Sequence, residues 1–275
     1  MNELPRVKNP RFSRGSSLSL LNHKTKSPRF SQTLNKICAI VLAAGKGKRM
    51  NIAGVNKVTH SLLGTPLLAR TLQVLQQGSI TSIVVVVGYE KESVLRILPE
   101  NVIVAEQKEL LGTGDAVKAA LPKIPKETST VFILYGDDSY FLTTEIIQKL
   151  YKKHLALSSA ITFLTIEKED PASLGRIIRD GNGKLIEIVE EKDTTGEQKQ
   201  IKEINAGCFM IDKKFLEENI DLLKPNNAQH EYYITDIVAI ALEKGLDVET
   251  VRLGSIPWRG VNTPEELREA KKLFN

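Results

Sequence analysis

Residues 37–50 read Ile37-Cys38-Ala39-Ile40-Val41-Leu42-Ala43-Ala44-Gly45-Lys46-Gly47-Lys48-Arg49-Met50. The first half is an unbroken aliphatic run, the mark of a strand buried on both faces. The second half is a glycine and lysine turn, placed where an open parallel sheet holds its ligands, beyond the carboxyl end of a strand. Gly45 and Gly47 let backbone amides approach an anion closely, and Lys46, Lys48 and Arg49 bring charge suited to a polyphosphate. The spacing is not that of a P-loop, since Gly-x4-Gly-Lys-Ser/Thr is absent. Nor is it a dinucleotide fingerprint, since Met50 takes the third glycine's position.

Outward from this stretch, Pro66 to Leu75 has helical spacing, Ser82 to Val87 is a second doubly buried strand, and Glu90 to Leu98 predicts a helix. Val102 to Ala105, Thr113 to Leu121 and Val131 to Leu134 continue as strand, helix and strand. The alternation predicts an α/β fold with a parallel, doubly wound sheet flanked by helices. Ala160 to Ile166 reads as a strand, and two short strands flank Asp180-Gly181-Asn182-Gly183, a hairpin turn. A small antiparallel side lobe over roughly 155–230 is therefore expected. Ala206 to Ile211, about Tyr232 to Glu243, Val248 to Arg252 and the stretch from Pro264 read as strand, helix, strand and helix.

With 275 residues, 41% of them hydrophobic and 26% charged, the chain has material for a sizeable core, which excludes disorder throughout. The net charge of +5 divides unevenly. Residues 1–36 carry eight basic side chains against the single acid Glu3, so the remainder has a net charge of −2. A mildly acidic body without a basic and aromatic pattern argues against nucleic acid as a partner. The first 36 residues are rich in Ser and Arg, with the echo Pro10-Arg11-Phe12-Ser13 and Pro28-Arg29-Phe30-Ser31. They are expected to form a disordered basic tail ahead of one domain over 37–275. An organellar transit peptide, or an arm that docks an unidentified partner, are the alternatives. The longest apolar runs are strand-length, so no membrane span is expected. Cys38 and Cys208 are too few for a disulfide scaffold and lack zinc-site spacing, which points to a reducing cytoplasm, or an organelle if the tail is an address.

The glycine loop, followed by Asn56-Lys57-Val58-Thr59-His60 and Leu63-Gly64-Thr65-Pro66-Leu67, resembles the sugar-1-phosphate nucleotidyltransferases that make nucleotide sugars. The likeness is greatest to the N-terminal uridylyltransferase domain of bacterial N-acetylglucosamine-1-phosphate uridylyltransferases, and it runs from about residue 37 to 270. It takes in Leu111-Gly112-Thr113-Gly114, Leu134-Tyr135-Gly136-Asp137, Leu174-Gly175-Arg176-Ile177 and Val189-Glu190-Glu191-Lys192-Asp193. It continues through Glu203-Ile204-Asn205-Ala206-Gly207, the stretch 226–236 and Gly260-Val261-Asn262. The resemblance implies a Rossmann-like mixed, mostly parallel sheet. It also implies Mg²⁺-dependent transfer of a nucleotidyl group from a nucleoside triphosphate, UTP first, to a sugar-1-phosphate, N-acetylglucosamine-1-phosphate first. Such a reaction gathers two polyanions and needs cations more than a base, because a phosphate monoester with a second pKa near ~6 is already largely dianionic at neutral pH.

By the same resemblance Arg49 and Lys57 are catalytic, Arg49 on the triphosphate and Lys57 toward the α-phosphate. Leu42, Ala43, Ala44, Gly45, Lys46, Gly47, Leu110, Gly112 and Thr113 would hold the nucleotide. Tyr135, Gly175, Glu190 and Asn205 would hold the sugar, and Asp137 with Asn262 the Mg²⁺. From the residues alone, Asp137 at a strand tip suits a helix N-cap as well as a metal ligand, and Gly175, Glu190 and Asn205 suit turns and surface equally. The chain departs from the family pattern at Lys48 for Thr, Asn56 for Pro, and Asp138-Ser139 for an apolar residue and Pro. It departs also at Leu110, which stands where relatives carry a Gln that reads the uracil edge. The main side-chain hydrogen bonds to uracil are then expected to be missing. A transferase for another base or sugar, using dTTP or CTP, and a non-catalytic nucleotide-sugar-binding paralogue are the alternatives. The hexapeptide repeats of the relatives' acetyl-transferring β-helix are absent, so no acetyltransferase activity is expected.

Overall fold

A computed structural model describes residues 36–50, 54–256 and 261–272. The expected disordered tail lies outside the described residues except at its last position. There the Lys36 carbonyl accepts the N–H groups of Ser129 and Thr130, so the folded body begins one residue earlier than expected.

β1 (Ile37–Ala43) enters the glycine loop, and a two-strand ribbon of β2 (Ser61–Leu62) and β3 (Thr65–Pro66) leads into helix α1 (Leu67–Gln77). β4 (Ser82–Val87), α2 (Lys91–Leu95), β5 (Ile103–Glu106), α3 (Thr113–Ala120) and β6 (Thr130–Tyr135) follow in the expected alternation. Next come α4 (Thr144–Ala156), β7 (Ile161–Glu167), β8 (Arg176–Arg179), β9 (Leu185–Val189) and β10 (Glu203–Asp212). The described chain ends through α5 (Lys213–Asn219), α6 (Asp236–Glu243), β11 (Val248–Arg252) and α7 (Pro264–Lys272). The sequence reading passed over α4 and α5. It also started α6 four residues early, because Tyr232 is held extended by spending its N–H on Leu111 and its carbonyl on Gly114, each at 2.7 Å.

The main sheet runs β11-β7-β10-β6-β1-β4-β5. β1 pairs in parallel with β4 and β6, β4 with β5, and β7 with β11, while β10 lies antiparallel between β6 and β7. The expected mixed, mostly parallel sheet is therefore present, and the side lobe is smaller than expected. β7 and β10 belong to the main sheet, and only the β8–β9 hairpin stands off its path, joined through the pair Ile204 and Arg176.

Alternation along β1 divides its side chains between two cores. Ala39 and Val41 face the layer of α1 and α4, packed among Leu68, Leu72, Leu150 and Phe132. Cys38 and Ile40 face the layer of α3, α5 and α6, among Val117, Leu216, Ile237 and Phe209. Truncating one of these fully buried leucines to Ala costs about 2–5 kcal/mol. This three-layer stack holds the carboxyl ends of β6, β1 and β4 side by side, and the functional loops leave from there.

Candidate functional site

At that edge the backbone is stitched tightly. The Gly136 N–H donates to the Leu42 carbonyl and the Tyr89 N–H to the Ala44 carbonyl, both at 2.9 Å. Asn56 is 1% exposed and secures the glycine loop from beneath. Its Nδ2 donates to the carbonyls of Ala43, Gly45 and Tyr89 at 3.1, 3.3 and 2.7 Å, and its own N–H donates to Ser93 Oγ at 2.9 Å. Asn56 Oδ1 in turn accepts the Val58 N–H, which fixes the short turn that carries Lys57. Gly47, at φ +55, comes so near that a Cβ there would lie 2.9 Å from the Cβ of Lys57. The loop and the lysine are thus one packed unit.

The Lys57 ammonium forms an ion pair with Asp137 and donates to Asn262 Oδ1 at 2.7 Å. Asp137 follows β6 by two residues, whereas Asn262 lies at the entry to α7, where Glu266 accepts the N–H groups of Asn262 and Thr263 at 2.6 and 3.0 Å. The Thr263 hydroxyl accepts the Glu266 N–H in return, a capping box. A carboxylate and an amide oxygen from distant parts of the chain therefore converge on one cationic atom. Two hard oxygen donors so placed could hold a divalent cation such as Mg²⁺, which would take its other ligands from outside the protein. Among the described residues no cluster of three or more His, Cys, Asp or Glu forms a protein-only metal cage.

Three pockets share Asn262 as a common wall, with volumes of about 660, 280 and 140 Å³. The largest takes in Lys46, Arg49, Lys57, Leu110 and Glu190. The second takes in Leu42, Ala43, Ala44, Gly45, Gly47, Gly112, Thr113, Tyr135 and Asp137. The third takes in Gly175, Asn205, Tyr135 and Glu190, with Arg49 at its rim. Every residue to which the resemblance gives a catalytic, nucleotide, sugar or metal role lines one of these three.

Several glycines and partners explain the local shape. Gly112, at φ +117, lies against the Tyr232 backbone, where a Cβ would come within 2.5 Å of the carbonyl oxygen. The Thr113 hydroxyl accepts the Ile234 N–H at 2.9 Å. At the third pocket, the Asn205 Oδ1 accepts the Gly207 N–H at 2.9 Å, inside a bulge where β10 loses register with β7. Gly175 leaves room for the Glu190 carboxylate, which lies 3.3 Å from where a Cβ would stand and accepts the Thr235 hydroxyl at 3.1 Å. Burial pushes the Glu190 carboxyl above its usual range, with Asp236 and Asp193 adding to the effect and Thr235 opposing it. Burial, then the neighbouring Asp137, push Asp138 up to about 7.

Two contributors were missed from the sequence. Gln107 is buried and lines both larger pockets, with Nε2 donating to the Gly112 carbonyl at 2.9 Å and to Asp115 at 2.8 Å. Its signal was its place at the end of β5, where its N–H extends the ladder to Val87. Leu110 instead packs on Gly88, where a Cβ would meet its Cδ2 at 2.9 Å. The second contributor is Arg176, 1% exposed, which pairs with Glu191 at 2.6 Å and donates to the Leu174 carbonyl, tying together two segments that line the third pocket.

The family model of the MobA-like NTP transferase domain matches residues 39–202. The bifunctional protein GlmU of Carboxydothermus hydrogenoformans is 44% identical over 214 residues, which is 78% of this chain and 47% of that protein. GlmU of Neisseria gonorrhoeae is 41% identical over 241 residues, 87% of this chain and 52% of its own length. The chain thus spans about half the length of the curated relatives it matches. A solved structure of a putative glucose-1-phosphate thymidylyltransferase from Bacillus anthracis, in complex with a sucrose, shares the fold. It has a TM-score of 0.73 and 22% identity, covering 86% of this chain and 94% of its own. With a match over more than half its residues, among them the glycine loop, Lys57 and Asp137, the chain belongs to the MobA-like NTP transferase family.

Proposed function

We propose that this protein transfers a nucleotidyl group from a nucleoside triphosphate to a sugar-1-phosphate, with UTP and N-acetylglucosamine-1-phosphate as the pair. The observation that carries the reading is the meeting of Lys57, Asp137 and Asn262 beside the glycine loop, where the nucleotide and sugar pockets join. A phosphate oxygen of the sugar-1-phosphate attacks the α-phosphorus. One P–O bond forms as the bond to the β-phosphate oxygen breaks, and pyrophosphate leaves. Lys57 and Arg49 balance the charge that gathers on the α-phosphate and the leaving group. Asp137 and Asn262 would hold Mg²⁺, which when bound screens the triphosphate and fixes its orientation.

The base would rest over Leu110, with Gln107 and the Gly112 backbone reading its edge. Because Gln107 Nε2 is already donated twice, its Oε1 is left as an acceptor, which suits the N3–H of uracil or thymine and not the bare N3 of cytosine. The apolar Leu110 also tolerates a 5-methyl group, so dTTP is the second reading. Glu190, Asn205 and the Gly175 backbone would take the sugar hydroxyls and the N-acetyl group.

Two buried, unpaired thiols, Cys38 and Cys208, support a reducing cytoplasm as the setting, and no described helix is long and apolar enough to cross a membrane. Removal of residues 1–35 is expected to leave turnover unchanged.

The test is pyrophosphate release across a panel of nucleoside triphosphates and sugar-1-phosphates with Mg²⁺, beside Asp137→Ala. Turnover with UTP and dTTP above CTP, lost in Asp137→Ala, is expected. Silence with every pair would refute the transferase reading.

A further inference from the structure

Asp138 directly follows the aspartate of the Tyr135-Gly136-Asp137 stretch. It stands where the nucleotide and sugar pockets meet, lining both. Its Oδ1 accepts the N–H of Val261 at 3.0 Å, across 123 residues of chain. Val261 is completely buried and immediately precedes Asn262. Three successive N–H groups are therefore held by carboxylates, that of Val261 by Asp138 and those of Asn262 and Thr263 by Glu266.

The two anchors act from opposite sides. Glu266 belongs to α7 and moves with it, so it fixes Asn262 relative to its own helix. Asp138 follows β6 by three residues, next to Asp137, and fixes the same segment relative to Asp137. An oxygen donor pair serves a small cation only when its spacing is held to a fraction of an ångström, since Mg²⁺ demands short, regular distances.

We propose that Asp138 is a positioning residue that sets Asn262 opposite Asp137, acting through the Val261 N–H and not as a ligand itself. The proposal rests on the reading of Asp137 and Asn262 as the donor pair. A hydrogen-bond acceptor is what the role requires, and a negative charge is not. That requirement separates Asp138 from a third metal ligand, whose replacement by an amide weakens the site, and from a bystander, whose replacement changes nothing.

The experiment titrates the full 275-residue chain with Mn²⁺ alone, following free Mn²⁺ by electron paramagnetic resonance, in parallel with steady-state kinetics. Asp138→Val is expected to weaken Mn²⁺ binding by about 10-fold and to lower kcat by a similar factor, while KM for the triphosphate moves less than about 3-fold. Asp138→Asn, whose side-chain oxygen accepts the same N–H, is expected to recover most of both losses. Should Asp138→Val not fold, as judged by circular dichroism, Asp138→Ala takes its place. Equal weakening in Asp138→Asn and Asp138→Val overturns the proposal, as does wild-type binding in Asp138→Val. Asp137→Ala is the control for the parent reading. Loss of Mn²⁺ binding there, with Asp138→Val unaffected, rejects the positioning role alone, whereas retained binding in Asp137→Ala rejects both.

Discussion

Lys57 holds with one ammonium the two oxygen donors that a divalent cation would need, the Asp137 carboxylate and Asn262 Oδ1. A single and a double positive charge 4 Å apart repel by about 8 kcal/mol at an effective dielectric of 20, so the two cannot share that seat. Were a divalent cation held by this pair, the ammonium would have to leave it, and its flexible four-carbon stem would let it reach a phosphate group nearby. Lys57→Met keeps the stem and removes the charge. Turnover is expected to fall by about 10²–10³-fold, while Mn²⁺ binds the nucleotide-free variant more tightly than the wild type. Weaker Mn²⁺ binding in the variant would show that Lys57 organises the donors and does not compete for them. Gln107 makes a second case. The family motif was legible in the sequence, but its register placed only Leu110 against the base. The turn through Leu111, whose N–H returns to the Glu109 carbonyl at 2.9 Å, folds residues 108–111 back, so that Leu110 covers Gly88 and Gln107 keeps the polar edge. Gln107→Leu is expected to shrink the ratio of kcat/KM for UTP over CTP by about 10–100-fold. An unchanged ratio would move base selection to the backbone.

Among the elements, β10 shows where sequence patterns fail and what the failure marks. The run Ala206 to Ile211 read as a strand, but the strand begins at Glu203, because Asn205-Ala206-Gly207 forms a bulge and a glycine in a strand looks like its end. The Gly207 φ of +69 is strained for any other residue, and a Cβ there would collide with the Tyr135 ring. The bulge sets Asn205 in the lining of the third pocket, beside Tyr135, so the glycine's backbone conformation is coupled to the shape of that pocket. Gly207→Ala is expected to lose about 1–3 kcal/mol of stability, and to raise KM for the sugar phosphate more than KM for the triphosphate. Matched rises in both KM values would place the damage in the sheet and not in the pocket. The missed helix α4 has a plainer cause. Its N-cap Thr143 accepts the Ile146 N–H at 3.3 Å, and Ile147, Leu150, Tyr151 and His154 form the buried stripe, but the polar residues between them dilute the pattern.

Over the whole molecule, the parallel half was legible because each βα unit is local, with β1, β4, β5 and β6 separated by single crossovers. The other half breaks that alternation, because β10 inserts antiparallel between β6 and β7, as in the pairs Asn205 with Thr165 and Phe209 with Ile133, and no local pattern reports this insertion. That half of the fold also brings the carboxylates of Glu190, Asp193 and Asp236 near one another, which gives the fold a pH signature. Burial first, and then Asp193, push Asp236 up to about 6, against the pull of the α6 N-terminus, which favours the ionised form. With its folded pKa above the unfolded value near ~4, the native state binds this proton more tightly, so ionisation costs stability in full above pH 6. The cost shrinks as pH falls from 6 to about 4 and is gone below that. Glu190 acts in the same direction, while His60 and His154, whose pKa values burial lowers, act in the opposite one as their unfolded forms take up protons below about 6.5. The difference between wild type and Asp236→Asn isolates the one group. The variant is expected to melt about 2–4 °C higher at pH 7.5, the shift for ~1 kcal/mol in a chain of this size. That advantage should disappear by pH 4.5. A gap that stays constant with pH would mean that Asp236 titrates as an ordinary exposed carboxylate, open to water at the start of α6.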